Sequence, residues 1–371
     1  MRLHVISFNI PYPADYGGVI DVYERLKALH AIGIEIALHA FEYGRAHAPI
    51  LNNFCKEVNY YPRHTGILAQ LSSKPYIVQS RVAPVLLDRL RSDDDPILLE
   101  GIHTSGILGK LPNERMYLRA HNVEHKYYSR LAEIQGVGWR KWYHGMEARK
   151  LKKYEQDVFQ NFQHVFAISQ KDAEIISGFN NNTSVIGPFH PWSSQFEKSE
   201  GVSPKYALYQ GDLSVQENVQ IVLDLIGEAF VDDKMRFIIA GKNPTASLSA
   251  KVSKHPWVSI IPNPTNDEMH KLMKEAHVHV LPAMQETGLK LKLLAALYSN
   301  QFVIANHSMA PTKELSEMCT AVCSLDKFRM HLDECWDANI KIEELERRKS
   351  ILSTKYSNQT NAKAIQRIIF G

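Results

Sequence analysis

The chain has 371 residues, enough for two domains at roughly 100–200 residues each. Apolar residues make up 44% and charged residues 22%, the balance of a soluble globular protein able to bury a core in each half. A net charge of +3 argues against a nucleic-acid partner, which calls for a concentrated basic stripe. Cys55, Cys319, Cys323 and Cys335 form no C-x-x-C pair and no disulfide framework, so a reducing compartment is expected. The chain opens directly on the strand-like Arg2–Phe8, and no run approaches the roughly 18–20 apolar residues that cross a bilayer. A cytoplasmic protein is expected. Peripheral contact with a membrane stays open through the basic aromatic stretch Trp139–Lys153, for which a solvated helix face is the plainer reading.

Leu3–Phe8 reads as a buried strand, and Val19, Val22, Tyr23, Leu26 and Leu29 then recur at helical spacing. Gly33 stops that helix and Ile34–Phe41 gives a second strand, a βαβ unit with a right-handed crossover. Strands at Pro96–Leu99, Met116–Leu118, His164–Ser169 and Thr183–Ile186 follow, with a long helix over about 138–162. The cluster Gly187–Trp192 and the polar run Ser193–Ser203 read as an interdomain linker. A second series of strands runs through Tyr206–Tyr209, Met235–Ala240, Trp257–Ile261, His277–Leu281 and Gln301–Ala305. Helical patterns separate them, notably Val215–Phe230 and Gly288–Tyr298, and Ile340–Phe370 is helical by composition. The alternation predicts an α/β fold of two doubly wound parallel-sheet domains.

Ligands of open parallel sheets bind beyond the carboxyl ends of the strands, so the loops after the strands carry the candidates. Asn9–Gly18 follows the first strand and opens a helix; Gly17 and Gly18 let backbone amides approach an anion, although it is no G-x-G-x-x-G fingerprint. The plain alternative is a glycine turn. Arg119–His125 concentrates titratable groups where a strand passes into a helix. His121-x-x-Glu124-His125 also matches an inverted zinc-peptidase pattern, but His121 sits at the junction and not on an established helix. Thr287–Leu294 offers a glycine at a helix start with Lys290 and Lys292 in its first turns, a seat for phosphate. Asp93–Asp95 precedes a strand and reads as a solvated turn, and His277 and His279 read as a structural pair.

These motifs, taken in order with Phe166–Ser169, Tyr209–Leu213, Glu217–Asn218 and Phe237–Gly241, resemble the family-4 retaining glycosyltransferases of the two-Rossmann GT-B fold. The resemblance covers both halves. It implies an acceptor-binding domain over 1–190, a nucleotide-sugar-binding domain over 191–354, a facing cleft, and a C-terminal helix of about 355–371 packed back on the first domain. It implies a nucleoside-diphosphate sugar donor, a glycan or lipid-linked acceptor, retention, and neither metal nor cofactor. By the same resemblance His121 is the active-site histidine, with Asn122 and Glu124 beside it. Gly17, Gly18, Gly211, Asn218, Gly241, Thr287, Gly288, Leu289, Lys290 and Lys292 would serve the donor, and Tyr16, His103 and Arg119 the acceptor. Two departures mark a divergent branch. The family's glutamate pair falls on Thr287 and Ala295, and its basic pair is absent from Gly211–Asn218. A noncatalytic nucleotide-sugar-binding protein is the alternative those departures motivate, and a zinc peptidase is the lesser one.

Overall fold

The computed structural model describes residues 1–66, 69, 72–134, 138–192, 204–284 and 291–371. The chain divides into two compact units: Met1–Pro191 with Lys355–Gly371, and the described residues between them. The first carries a seven-stranded sheet: β1 (Arg2–Ser7), β2 (Glu35–Glu42), β3 (Glu57–Pro62), β4 (Ile97–Glu100), β5 (Met116–Ala120), β6 (His164–Ala167) and β7 (Thr183–Val185). Their spatial order is β3-β2-β1-β4-β5-β6-β7, all neighbours parallel. The second unit carries β8 (Tyr206–Asp212), β9 (Arg236–Lys242), β10 (Val258–Pro262), β11 (Val278–Leu281), β12 (Phe302–Asn306) and β13 (Thr320–Val322), ordered β10-β9-β8-β11-β12-β13 and again parallel.

The central strands are unbroken apolar runs because helices cover both faces. Leu3, Val5 and Ile6 of β1 are buried, as are Leu98 and Leu99 of β4 beside them. The Gly17–Ala31 helix turns Val19, Val22, Leu26 and Leu29 into the core and ends where Gly33 takes φ +86°. Two apolar cores result, and the final Asn358–Phe370 helix lays Ala362, Ile365 and Ile369 against Leu3, Val22 and Phe166 in one of them. In the second unit Phe230 stacks on Phe237 with ring centroids 4.0 Å apart, within the core built on β8, β9 and β11.

The expected strands lie within a residue or two of their observed ends, except that β8 runs three residues past the expected Tyr209, to Asp212. Two strands escape the sequence reading, β3 and β13. Both close an edge of their sheet and keep several residues half-exposed, so no continuous apolar run marks them. The expected linker needs correction at its start. Phe189 and His190 are buried: Asn358 Nδ2 donates to the His190 carbonyl at 2.7 Å and Asn361 Nδ2 to the Gly187 carbonyl at 3.3 Å. Residues 193–203 lie outside the described part.

In both sheets the chain reverses its winding beside the first strand, between β1 and β4 and between β8 and β11. The carboxyl ends of those strands are where the loops diverge and leave a crevice for ligand.

Candidate active site

At the first switch point the Gly17–Ala31 helix starts just after β1. Tyr16 is its N-cap and no side chain of the described residues caps it, so the first amides are open to another acceptor. Gly18 is constrained: a Cβ there would meet Phe8 Cζ at 3.1 Å and Tyr16 Cε2 at 3.5 Å. Tyr16 is half-exposed, with the Arg45 guanidinium 5.2 Å above its ring.

One turn into that helix a buried charge network begins. Arg25 Nη1 donates to Asp21 Oδ2 at 2.6 Å, Nε to Glu100 Oε1 at 3.0 Å, and Nη2 to Glu100 Oε2. Arg119, fully buried, donates from Nη2 to Asp21 Oδ1 at 3.2 Å and from Nη1 to the Ile186 carbonyl at 2.5 Å. Asp21 Oδ1 also accepts from the Phe189 amide at 2.7 Å. Burial alone would raise the Asp21 carboxyl; Arg119 and Arg25 overcome it and hold the group well below the usual carboxylate range.

His121 sits on top of this network. Nε2 donates to Glu100 Oε2 at 3.0 Å, Nδ1 lies 3.6 Å from Asp21 Oδ2, and Phe8 meets the ring edge-on at 5.5 Å. The ring is thus fixed by two carboxylates and one aromatic wall. Asp21, Glu100 and His121 bring three potential metal ligands within 4.8 Å of one another. Two guanidiniums already neutralise the two carboxylates, so a divalent cation would leave excess positive charge in a buried site. The donor set does not fit a metal.

The residues after His121 turn elsewhere. Glu155 reaches the start of the Glu124–Ile134 helix and accepts from the amides of Glu124 at 2.7 Å and His125 at 3.3 Å, and from His125 Nδ1 at 2.5 Å. The two histidines of the zinc-peptidase pattern therefore serve different carboxylates and do not converge. Glu124 is buried, and burial together with Glu155 pushes its carboxyl up to about 8, against a hydrogen bond from Asn122. Its surroundings are those of an interior acid at a helix start.

Arg119 likewise needs correction as an acceptor contact. Its donors are spent on Asp21 and on the Ile186 and Gly187 carbonyls, and none of the side chain reaches solvent. His103 follows β4 and packs its ring 5.4 Å from Phe8. Burial, then Arg81 and His121, hold it well below the ordinary histidine value. In the Asp93–Asp95 turn Asp94 is fully exposed, and Asp93 and Asp95 are part-buried. Asp93 and Asp95 pair with Arg2, and Asp93 also with His4 and Arg115. His277 and His279 are structural, bonding the Cys335 and Met273 carbonyls.

At the second switch point β8 ends in Gly211 and Asp212. A Cβ on Gly241 would lie 1.8 Å from the Gly211 carbonyl oxygen, so close strand approach alone accounts for that glycine. Asn218 Oδ1 accepts from the Tyr209 hydroxyl at 2.9 Å and its Nδ2 donates to the Asp212 carbonyl at 2.9 Å, which locks the loop after β8. Lys292 holds its ammonium 5.0 Å over the Tyr209 ring. Ala295, where the resemblance places a glutamate, is buried against Tyr206, Leu208 and Ile238. Thr287, Gly288, Leu289 and Lys290 lie outside the described residues.

Sequence reasoning missed Asp21, Arg25, Glu100 and Glu155. The available signal was a charged i,i+4 pair, Asp21 and Arg25, on the apolar stripe of a helix, and an acid closing an apolar strand.

Residues 204–323 match the family model described as glycosyl transferases group 1. A relative from Klebsiella pneumoniae, an uncharacterized 44.6 kDa protein in the cps region, is 25% identical over 325 residues, 82% of each chain. WaaG, described as a glycosyltransferase involved in lipopolysaccharide biosynthesis, has a similar solved structure: TM-score 0.67 at 12% identity, covering 100% of both chains. HepE of Anabaena, solved with UDP, gives 0.64 at 12% identity over 99% of both. At such identities the likeness shows the fold. The chain therefore has the GT-B fold, and its residues 204–323 match the glycosyl transferases group 1 family model.

Proposed function

We propose that the chain transfers a hexose from a nucleoside-diphosphate sugar to a glycan or lipid-linked acceptor, with retention and without a metal. The observation that carries this reading is His121, held by Glu100 and Asp21 at the carboxyl edge of a parallel sheet, in a chain whose other unit is a group 1 domain. UDP in HepE makes uridine the first base to try.

As the glycosidic bond breaks, negative charge grows on the leaving diphosphate and positive charge on the sugar. Lys292, positioned by Tyr209, would stabilise the diphosphate, together with the amides of Gly288 and Leu289. The uncapped helix start at Gly17 and Gly18 offers further N–H donors. Both ring nitrogens of His121 face carboxylates, and the residue would position the sugar and stabilise its positive charge through its main-chain carbonyl or its ring. The acceptor proton would go to the leaving phosphate. Release of nucleoside diphosphate from a donor panel in excess chelator tests this reading. His121→Ala is expected to slow release by about 100-fold or more. Donor binding without release on any acceptor would favour the noncatalytic alternative, which the buried Ala295 motivates.

Peripheral membrane contact belongs to the same reading. Trp139 and Trp142 are 72% and 69% exposed, one turn apart on the Trp139–Phe159 helix, which also carries Arg140, Lys141, Arg149 and Lys152. No helix among the described residues is long and apolar enough to span a membrane. Replacing both tryptophans with alanine is expected to weaken sedimentation with anionic-lipid vesicles by about tenfold. Unchanged sedimentation would remove the anchor.

A further inference from the structure

Several carboxylates at the carboxyl rim of the first sheet have cationic partners. Asp21 and Glu100 answer Arg25 and Arg119, Asp15 answers Arg45, and Glu42 answers His47. Two arginines of the same rim are not matched. Arg63 follows β3, and Arg81 follows the short Tyr76–Gln79 helix. Neither forms an ion pair among the described residues.

Arg81 is only 4% exposed. Its Nε donates to the Phe8 carbonyl at 2.8 Å and Nη1 to the Ile77 carbonyl at 2.7 Å, which leaves Nη2 without a protein acceptor among the described residues. Arg63 is half-buried; Nε donates to Ser80 Oγ at 3.0 Å, and its guanidinium lies 4.2 Å over the Tyr43 ring and 5.2 Å over Tyr76. Both side chains are therefore held in place by neutral partners. Glu124, a buried acid that interacts with Arg81 electrostatically, forms no ion pair with it, and burial and Glu155 push its carboxyl up to about 8. A charge removed from water is costly unless an opposite charge meets it, so this pair would stabilise an anion.

Phe8 ties the pair to the candidate active site. Its carbonyl anchors Arg81, and its ring packs 5.4 Å from His103 and 5.5 Å from His121. His103 adds a buried Nδ1 with no hydrogen-bond partner among the described residues. We propose that Arg63 and Arg81 form a subsite for an anionic group, phosphate or carboxylate, carried by the sugar acceptor. This rests on the transferase reading above, and it narrows the acceptor to a phosphorylated or uronic-acid-bearing glycan. A neutral sugar would leave the two guanidiniums unanswered.

The test is titration of the full chain with glucose 6-phosphate, glucuronate and glucose at constant ionic strength, with UDP titrated separately. At least one anionic sugar is expected to bind about tenfold or more tightly than glucose. Preference for glucose 6-phosphate identifies the phosphate source, and preference for glucuronate the carboxylate. Arg63→Gln should abolish the preference, Arg63→Lys should retain part of it, and UDP affinity should not move in either. Arg63 is the chosen site because it is half-buried; thermal unfolding confirms that the variants fold, and Arg81→Lys provides a second variant. Equal binding of all three sugars would overturn the subsite, as would a preference that survives Arg63→Gln. Loss of UDP affinity in Arg63→Gln would assign the cations to the donor instead. If the wild type ignores UDP yet keeps the anion preference, the transferase reading fails and the anion site stands.

Discussion

Asp21 is the residue on which the first site turns. It accepts from Arg25, Arg119 and the Phe189 amide and sits 3.6 Å from His121, while no part of it reaches water. Asp21→Asn keeps the shape and removes the charge, which leaves two buried guanidiniums facing Glu100 alone. The expected loss of stability is about 3–5 kcal/mol at neutral pH, read from chemical denaturation. The pH dependence has a definite sign. The folded carboxyl is held below its ordinary value, so its contribution is complete above the unfolded value and is lost as the pH falls through the folded one. The variant should therefore show a flatter acid limb than the wild type. An unchanged limb would mean that the ion pairs do not form. Among single residues, His121 was legible in the sequence because titratable groups crowd a strand end there. Asp21 and Glu100 were not: a carboxylate within an apolar pattern shows its burial only when a distant guanidinium is brought to it, and Arg25 and Glu100 are 75 positions apart.

At the scale of elements, strands β1, β4, β8 and β9 were readable because parallel strands buried on both faces are continuous apolar runs. The edge strands β3 and β13 were not, since water covers part of them. The Gly211 and Gly241 pair shows how far sequence carries a glycine. The family resemblance gave Gly241 a donor role, whereas the neighbouring strand's carbonyl by itself demands a glycine there. Gly241→Ala places a methyl group 1.8 Å from the Gly211 oxygen, which strand rearrangement alone relieves. Gly211→Ala meets only side-chain atoms, of Asn218 at 3.3 Å and the Tyr209 hydroxyl at 3.4 Å. Thermal unfolding should show Gly241→Ala losing more than about 3 kcal/mol or failing to fold, and Gly211→Ala losing about 1–2 kcal/mol. Equal losses would contradict the close-packing account and return Gly241 to a ligand-binding role.

For the whole molecule, length and alternating pattern foretold two parallel-sheet units, and both sheets have that form. The return of the last helix to the first unit, expected only through resemblance, is carried by Ala362, Ile365 and Ile369, whose spacing by itself marks an amphipathic helix without naming its partner. Residues 204–323 match the glycosyl transferases group 1 model, and the central proposal is that this unit binds a nucleotide-sugar donor. Calorimetric titration of the intact chain with UDP and UDP-hexoses in excess chelator tests it most directly. The account predicts one site per chain, weakened about tenfold in Lys292→Met for UDP as well as for the sugar nucleotide, and unaltered by removing divalent ions. No binding of any nucleoside diphosphate sugar, or binding that requires a divalent metal, would contradict it.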